Sequence, residues 1–366
     1  MRSPPLRLSL STAGGDAPGL NAALRAVVLA ADRLGWEVWG IERGYDGLLT
    51  GRGIRRLRPS SVRGLLPQGG TILGATTSGD PFRYPVREGG RIRERDLSDR
   101  LLRLFRRLRI DAHIAIGGNG TLSIAEKLFR KGLRVVGLPK TIDNDLPGTP
   151  ITCGFDTAVS VAVEALDRLR TTAASHGRVH VAEVMGRDTG WIALHAGIAG
   201  GADAILIPEI PYRLEALARA VRERCRGAGG HALIVAAEGA HPRGEGPILR
   251  DSGGPGGRPP RLGGIAERLA ADLEGRTGRP CRSVALGHLQ RGGTPTPFDR
   301  ALATRLGTAA VRLVQEGRFG CMAAVTPAGA IAAVPLSRVA DRLKRVPPDG
   351  EPVRAARAMG ISFGDE

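Results

Sequence analysis

Asp143 and Asp145 stand two residues apart in the run Pro139-Lys140-Thr141-Ile142-Asp143-Asn144-Asp145, directly after the apolar segment 133–138. Two carboxylates so placed can divide labour, one accepting the proton of a hydroxyl while the other serves a metal or orients the first. Lys140 adds a cation and Thr141 a hydroxyl, both suited to phosphate. The apolar segment reads as a buried parallel strand, and in an open α/β sheet ligands bind beyond the carboxyl ends of strands. The same residues also suit an ordinary polar turn capped by Asp and Asn, so the run alone does not decide.

Two glycine-rich loops point the same way. Gly14-Gly15-Asp16-Ala17-Pro18-Gly19-Leu20-Asn21 follows a first apolar strand, and Gly117-Gly118-Asn119-Gly120-Thr121 follows another. Glycines there let the backbone approach a phosphate, and the helix that follows offers free N–H groups and the positive end of its dipole. Neither loop continues into Gly-Lys-Ser/Thr, so neither is a Walker A loop. Each is also a plain tight strand–helix turn; two in one sheet would grip one polyphosphate from two sides.

The elements that must position these loops are legible as hydrophobic period. Strands are expected at 6–10, 37–41, 113–116, 133–138, 179–184, 204–207 and 232–236, and helices at 99–108, 122–130 and 155–174. Leu20, Leu24, Val27, Val28 and Ala31 define one face of a further helix, and Ser98 is the expected N-cap of the helix at 99–108. Alternating strands and helices predict an α/β fold of two doubly wound parallel-sheet domains with the active site in the cleft between them. The Gly/Pro-rich stretch 251–264 is expected to be a mobile surface loop, and the chain from Val346 a loosely attached tail.

The 366 residues, 42% of them hydrophobic, are enough for two cores. No apolar stretch approaches a membrane span, and the first residues lack a signal-type apolar region. Cys153, Cys225, Cys281 and Cys321 are widely separated, with no metal or redox spacing, and are expected to be reduced in the cytoplasm. The formal net charge of +17 raises nucleic acid as a partner, but the Arg are scattered and aromatic content is only 4%, so no nucleic-acid or membrane partner is expected.

With Glu183-Val184-Met185-Gly186-Arg187, Ala237-Glu238-Gly239-Ala240 and Leu286-Gly287-His288-Leu289-Gln290-Arg291-Gly292-Gly293 added, the chain resembles the phosphofructokinase family from about residue 7 to about residue 345. The resemblance implies transfer of the γ-phosphoryl of ATP to the 1-hydroxyl of fructose 6-phosphate, with Mg²⁺. It makes Asp143 the base, Asp145 its carboxylate partner and metal ligand, and Thr141 a hydroxyl near the transferred group. Arg178, Met185, Gly186, Arg187, Glu238, Arg282, His288 and Arg291 match sugar-phosphate ligands. Gly14, Gly15, Tyr45, Gly118, Asn119, Gly120, Thr121 and Lys140 match the phosphoryl-donor site, with Asn119 a weak metal ligand. The equivalents of Arg178 and Arg282 act in a neighbouring subunit, which implies a homodimer or homotetramer. The donor domain is expected at 1–154 plus about 292–340, and the fructose 6-phosphate domain at 155–291 plus about 341–366.

The match departs from the family at a few positions. Asn119 stands where Asp or Glu is usual, and Thr77 where many members place an Arg on the donor phosphates; Arg83 is the nearby substitute. Gly120 resembles ATP enzymes, whereas Lys140 resembles the pyrophosphate-dependent branch, so pyrophosphate is the alternative donor. An inactive sugar-phosphate-binding paralogue is the alternative of another class. Arg25 and Arg170 match effector-pocket positions, but Leu29 replaces a further cation there.

Overall fold

Leu8, Leu10, Ile114, Ile116, Val136 and Leu138 are fully buried on one face of a sheet, and Ala115 and Val135 on the other, as in strands covered by helices on both faces. The computed structural model describes residues 5–76, 79–227, 229–251 and 261–366, and the chain folds as two compact units. Unit 1 comprises Met1–Asp156 and Arg291–Leu343; unit 2 comprises Thr157–Gln290 and Lys344–Glu366.

Unit 1 begins with β1 (Arg7–Thr12), α1 (Leu20–Arg33), β2 (Glu37–Ile41), the short α2 (Asp46–Leu49) and β3 (Ile54–Leu57). A small hairpin, β4 (Tyr84–Glu88) and β5 (Arg91–Arg95), precedes α3 (Ser98–Arg107), β6 (Ala112–Gly117), α4 (Asn119–Arg130) and β7 (Val135–Pro139). The change of unit falls in the first turn of α5 (Phe155–His176). Unit 2 continues with β8 (Val179–Val184), α6 (Trp191–Ala199), β9 (Ala204–Leu206), α7 (Leu214–Arg224) and β10 (Ala232–Ala237). The strand pair β11 (Leu249–Asp251) and β12 (Arg261–Leu262) leads to α8 (Ile265–Thr277) and β13 (Cys281–Ala285). The chain returns to unit 1 for α9 (Pro297–Gln315), β14 (Cys321–Val325) and β15 (Ile331–Pro335), and ends in unit 2 with α10 (Glu351–Ala358).

The unit 1 sheet has the order β15-β14-β7-β6-β1-β2-β3, parallel except for its two edge strands. From β1 the chain steps to β2 on one side, while β6 and β7 lie on the other, so the strand order reverses between β1 and β6. That reversal is where a doubly wound sheet opens a ligand crevice. One face packs under α1 and α9, whose backbones approach so closely that a Cβ on Gly307 would lie 2.8 Å from Ala26 Cβ. The other face packs under α3 and α4.

Unit 2 carries a parallel four-stranded sheet, β13-β8-β10-β9, packed against α7 and α8. The expectation of a loose tail from Val346 is wrong. Val346, Val353, Ala356, Ile361 and Phe363 are buried, and Ser362 bridges Ala204 at the edge of the sheet. The tail's apolar residues are too widely spaced to read as an element, yet they share a face once α10 forms. The expected loop at 251–264 is only partly described: Leu249–Asp251 pairs with Arg261–Leu262, and 252–260 lie outside the described residues. Ser98 is not an N-cap either. It lies inside α3; its N–H donates to Asp96 Oδ1 at 2.8 Å and its Oγ accepts from Lys131 Nζ at 2.7 Å.

One buried polar group in the sheet carries a pH signature. His113 on β6 is fully buried, its Nδ1 2.9 Å from Ser9 Oγ and its Nε2 3.2 Å from Ser11 Oγ. Burial pushes its pKa down to about 3. The unfolded chain binds a proton there below about pH 6.5 while the folded chain does not, so stability falls as pH drops from about 6.5 toward 3, by about 1.4 kcal/mol per pH unit. His113→Gln removes this proton linkage. Thermal unfolding is expected to show wild type the more stable at pH 7.5 and the gap closing as pH falls below 6.5; parallel curves for the two proteins would show that His113 does not titrate on unfolding.

Candidate active site

Three adjacent parallel strands of unit 1 end flush. Thr12 pairs with Ile116, and Gly117 pairs with Pro139. The ladder runs one step further, with Ala13 N–H donating to Ile116 O and Lys140 N–H to Gly117 O. Gly14 and Gly15, Gly118 to Thr121, and Lys140 to Asp145 therefore leave the sheet side by side. Gly117 has to be glycine because a Cβ there would collide with the Thr121 side chain. The N-terminus of α4 has no side-chain cap, so its first N–H groups stay available for an anion.

The turn that carries the two carboxylates is held from inside. Asn144 is buried with φ +50, in the left-handed region that Asn tolerates. Its Oδ1 accepts from Thr152 N–H at 3.1 Å and its Nδ2 donates to Pro150 O at 3.1 Å. Thr141 Oγ1 accepts from Asp143 N–H at 3.1 Å. Asp143 and Asp145 flank this fixed residue and are themselves half-buried.

Lys140 behaves differently from the expectation that it meets the donor. It is buried, and Nζ donates to Ala13 O at 3.2 Å and to Gly15 O. Burial, then the nearby Arg291, lowers its pKa to about 8. Arg291 lies in unit 1, where it donates to Asp16 O at 3.0 Å; a Cβ on Gly15 would lie 2.6 Å from its Nη1.

A cavity of about 300 Å³ opens beside these loops. Gly14, Gly120 and Thr121 line it at one end, as expected, and Tyr45 joins them. Tyr45 is 1% exposed and its hydroxyl has no hydrogen-bond partner; burial, then Asp80, raises its pKa. Asp80, Lys127 and Asp341 also line the cavity and were missed by sequence reasoning. The only available signal was that Gly120 and Lys127 lie seven positions apart on one helix face. Asn119, expected as a metal ligand, has its amide engaged: Nδ2 donates to Arg342 O, and Oδ1 accepts from Ser123 Oγ at 3.3 Å. Arg83 is forked onto Glu94 at 2.8 and 3.1 Å, so it is not a substitute on the donor; Thr77 lies outside the described residues.

Unit 2 repeats the arrangement. Its neighbouring strands β13, β8 and β10 lead into the segments that carry His288, Met185-Gly186-Arg187 and Glu238 respectively. The loops are laced together: Glu238 N–H donates to Val184 O at 2.9 Å, Gly239 N–H to Gly186 O at 3.1 Å, and Leu286 N–H to Glu183 O at 2.9 Å. Gly186, at φ +144, leaves no room for a Cβ, which would lie 2.7 Å from Thr189 O. The buried Glu183 carboxylate accepts from Gly264 N–H at 3.0 Å and Ala266 N–H at 3.1 Å, capping α8.

Arg178 and Arg282 are not with this set. Arg178 immediately precedes β8, and Arg282 pairs with His180 near the start of β13. They sit at the amino ends of strands whose carboxyl ends carry Arg187 and His288, roughly 20 Å away along the sheet. Arg170 is also anchored, donating to Gly200 O and, at 2.7 Å, to Gly201 O.

Glycine loops and carboxylates beyond the carboxyl ends of a doubly wound sheet define an α/β protein built to handle phosphate groups. The chain belongs to the phosphofructokinase family, whose profile (Phosphofructokinase) matches residues 7–314. It is 50% identical over 366 residues, all of both chains, to an ATP-dependent 6-phosphofructokinase of Chloroflexus aggregans. It is 46% identical over 345 residues, covering 94% of this chain and 97% of the other, to a pyrophosphate–fructose 6-phosphate 1-phosphotransferase of Amycolatopsis methanolica. Among solved structures, Pichia pastoris phosphofructokinase in the T-state superposes with a TM-score of 0.80 at 33% identity; the match covers 93% of this chain but only 36% of that one. No helix among the described residues is long and apolar enough to cross a membrane.

The separation of Arg178 and Arg282 from the other sugar-phosphate residues generates a prediction. If they serve a neighbouring chain, the active protein is a dimer or tetramer. Light scattering under assay conditions is expected to show such an oligomer, and an active monomer would rule the arrangement out. Mixing Asp143→Asn chains with Arg178→Ala chains is expected to restore part of the activity that neither has alone.

Proposed function

We propose that this chain is a cytoplasmic, ATP-dependent 6-phosphofructokinase of glycolysis. It moves the γ-phosphoryl of ATP to the 1-hydroxyl of D-fructose 6-phosphate and yields fructose 1,6-bisphosphate and ADP. Unit 1 takes the donor and unit 2 the sugar phosphate. The observation that carries this reading is the flush ending of β1, β6 and β7, which sets two glycine loops beside the Thr141–Asp145 turn.

Asp143 accepts the proton of the 1-hydroxyl as its oxygen bonds to the γ-phosphorus and the bond from that phosphorus to the ADP oxygen breaks. Thr141 steadies the base by accepting its N–H and lies next to the transferred group. The N–H groups at the start of α4 and around Gly15 hold the phosphates. Arg187, His288 and Glu238, with Met185 and Gly186 shaping the turn, hold the acceptor, and Arg291 and a neighbouring chain's Arg178 and Arg282 add cations. Phosphoryl transfer needs this positioning and charge neutralisation more than covalent help. The carboxylates fit Mg²⁺, which binds through one or two carboxylates plus substrate phosphates and keeps several waters. Asp145 would hold it, and it would neutralise charge on the phosphates. The Asn119 amide, engaged by Arg342 and Ser123, is left to the protein.

Two experiments test the reading. Asp143→Asn is expected to lower kcat at least ~10²-fold with little change in sugar-phosphate affinity, and near-normal kcat would remove Asp143 from the role of base. The second concerns the donor, since a 46% identical relative uses pyrophosphate. A Cβ on Gly120 meets nothing within 4 Å, and Gly120 lines the donor cavity, so Gly120→Asp should fold normally. Its carboxylate would repel the nucleotide's phosphates and lower kcat/KM for ATP by ~10²-fold or more. A wild type with higher kcat/KM for pyrophosphate than for ATP would overturn the donor assignment.

A further inference from the structure

The donor cavity has two chemically distinct ends. It follows α4 from Gly120 to Lys127, about 10 Å along the helix axis. At Gly120 it meets the helix N-terminus, where phosphate is welcome. Farther along it meets two carboxylates: Asp341, held against Ser123 about one turn past Gly120, and Asp80. Asp80 Oδ1 accepts from Phe82 N–H at 2.9 Å, and Lys127 Nζ stands 5.8 Å from the Phe82 ring centre, which places Asp80 toward the Lys127 end.

Asp341 is held there by built features. Its backbone is left-handed, at φ +55. Its N–H donates to Ser123 Oγ at 2.9 Å, Ser123 Oγ donates to Asn119 Oδ1 at 3.3 Å, and Asn119 Nδ2 donates to Arg342 O. Two of these hydrogen bonds clasp residues 341 and 342 to α4, at Ser123 and Asn119, and the third ties those two side chains to each other. Asn119 needs both an acceptor and a donor for this, and an Asp at 119 has no donor to offer. The second, independent feature is the Tyr45 hydroxyl, which lines the same cavity beside Asp80, is buried, and has no partner within the protein.

Ionised carboxylates only accept hydrogen bonds. Ribose hydroxyls donate them, while phosphate oxygens only accept and carry like charge. We propose that Asp341, set in place by the Asn119–Ser123 clasp and aided by Asp80, reads the nucleoside of the phosphoryl donor by accepting from its ribose hydroxyls, and disfavours donors made of phosphate alone. This rests on the donor reading of the cavity given above. It makes Asp341 a specificity residue, and Asn119 a positioning residue in place of a metal ligand.

The test compares ATP with 2′,3′-dideoxy-ATP at saturating fructose 6-phosphate. Losing hydrogen bonds to a charged acceptor is expected to lower wild-type kcat/KM ~10-fold or more for the dideoxy nucleotide. Asp341→Ala is expected to bring that ratio to within about twofold of unity and to raise the relative use of pyrophosphate, while KM for fructose 6-phosphate holds as the internal control. Asn119→Asp, which keeps the side chain's size and breaks the clasp, is expected to lower the ratio in the same direction and serves if Asp341→Ala does not fold. If ATP supports turnover and neither substitution changes the ratio, the nucleoside-reading role is wrong and the kinase reading stands. If wild type turns over pyrophosphate and not ATP, the donor reading and this inference fall together.

Discussion

The chemistry of unit 1 depends on the parallel register of β1, β6 and β7. Ser11 opposite Ala115, Thr12 opposite Ile116 and Gly117 opposite Pro139 make three loops begin at the same height. A slip of one residue in any strand would turn its side chains to the other face and displace its loop. The register is enforced from both faces, since Leu8, Leu10, Ile114, Ile116, Val136 and Leu138 fill the core under α1 and α9 while Ala115 and Val135 pack into the core under α3 and α4. The sheet's apolar cores and its functional edge are consequences of one constraint.

Within that frame the first glycine loop is shaped by two cations, Lys140 and Arg291. Lys140 draws in the carbonyls of Ala13 and Gly15, and Arg291 draws in that of Asp16. A trans peptide sets its N–H on the side opposite its C=O. Anchoring the Gly15 and Asp16 carbonyls therefore turns the following N–H groups of Asp16 and Ala17 the other way. A buried Lys is costly unless its donors are satisfied, and the loop carbonyls satisfy it. This accounts for Lys140 at a position where the sequence alone points to a pyrophosphate contact: its ammonium is committed to the loop.

The sequence showed β1, β2, β6 to β10, α1, α3 to α5 and the order of the motifs because each of those is a local pattern, whereas β3 to β5, β11 to β15, α2 and α6 to α10 were not read from it. Strands 37–41 and 179–184 coincide with β2 and β8. Contacts between distant segments were not legible. Asn119 meets Arg342, and Ser123 meets Asp341, across more than two hundred residues of chain. Nothing in the sequence marks Asp341 as cavity lining, and Asn119 read as a weakened metal ligand because its partner was invisible. The tail failed for a related reason, since Ile361 and Phe363 become an edge only when Ser362 meets Ala204. Among the site residues, the loop and turn positions that follow strands could be placed from pattern. That Arg178 and Arg282 stand at the opposite strand ends from Arg187 and His288 required the register.

Part of the excess of arginine has a structural use. Helices leave their last carbonyls without partners, and in unit 2 arginines supply them. Arg170 donates to Gly200 O just after α6, Arg279 to Cys225 O just after α7 at 2.6 Å, and Arg222 to Arg276 O in the last turn of α8 at 2.9 Å. Arg213 and Arg219 reach the carbonyls of Asp365 and Glu366 at 2.8 and 2.6 Å. Others fork onto carboxylates, as Arg357 does with Asp365 and Glu366 and Arg95 with Glu88. Exposed ion pairs of this kind add little stability, but a guanidinium has five donors in a rigid plane and can meet several carbonyl or carboxylate oxygens at once, which a lysine ammonium does less specifically. Closing helix ends is thus one structural use of the arginine in a chain whose formal net charge is +17.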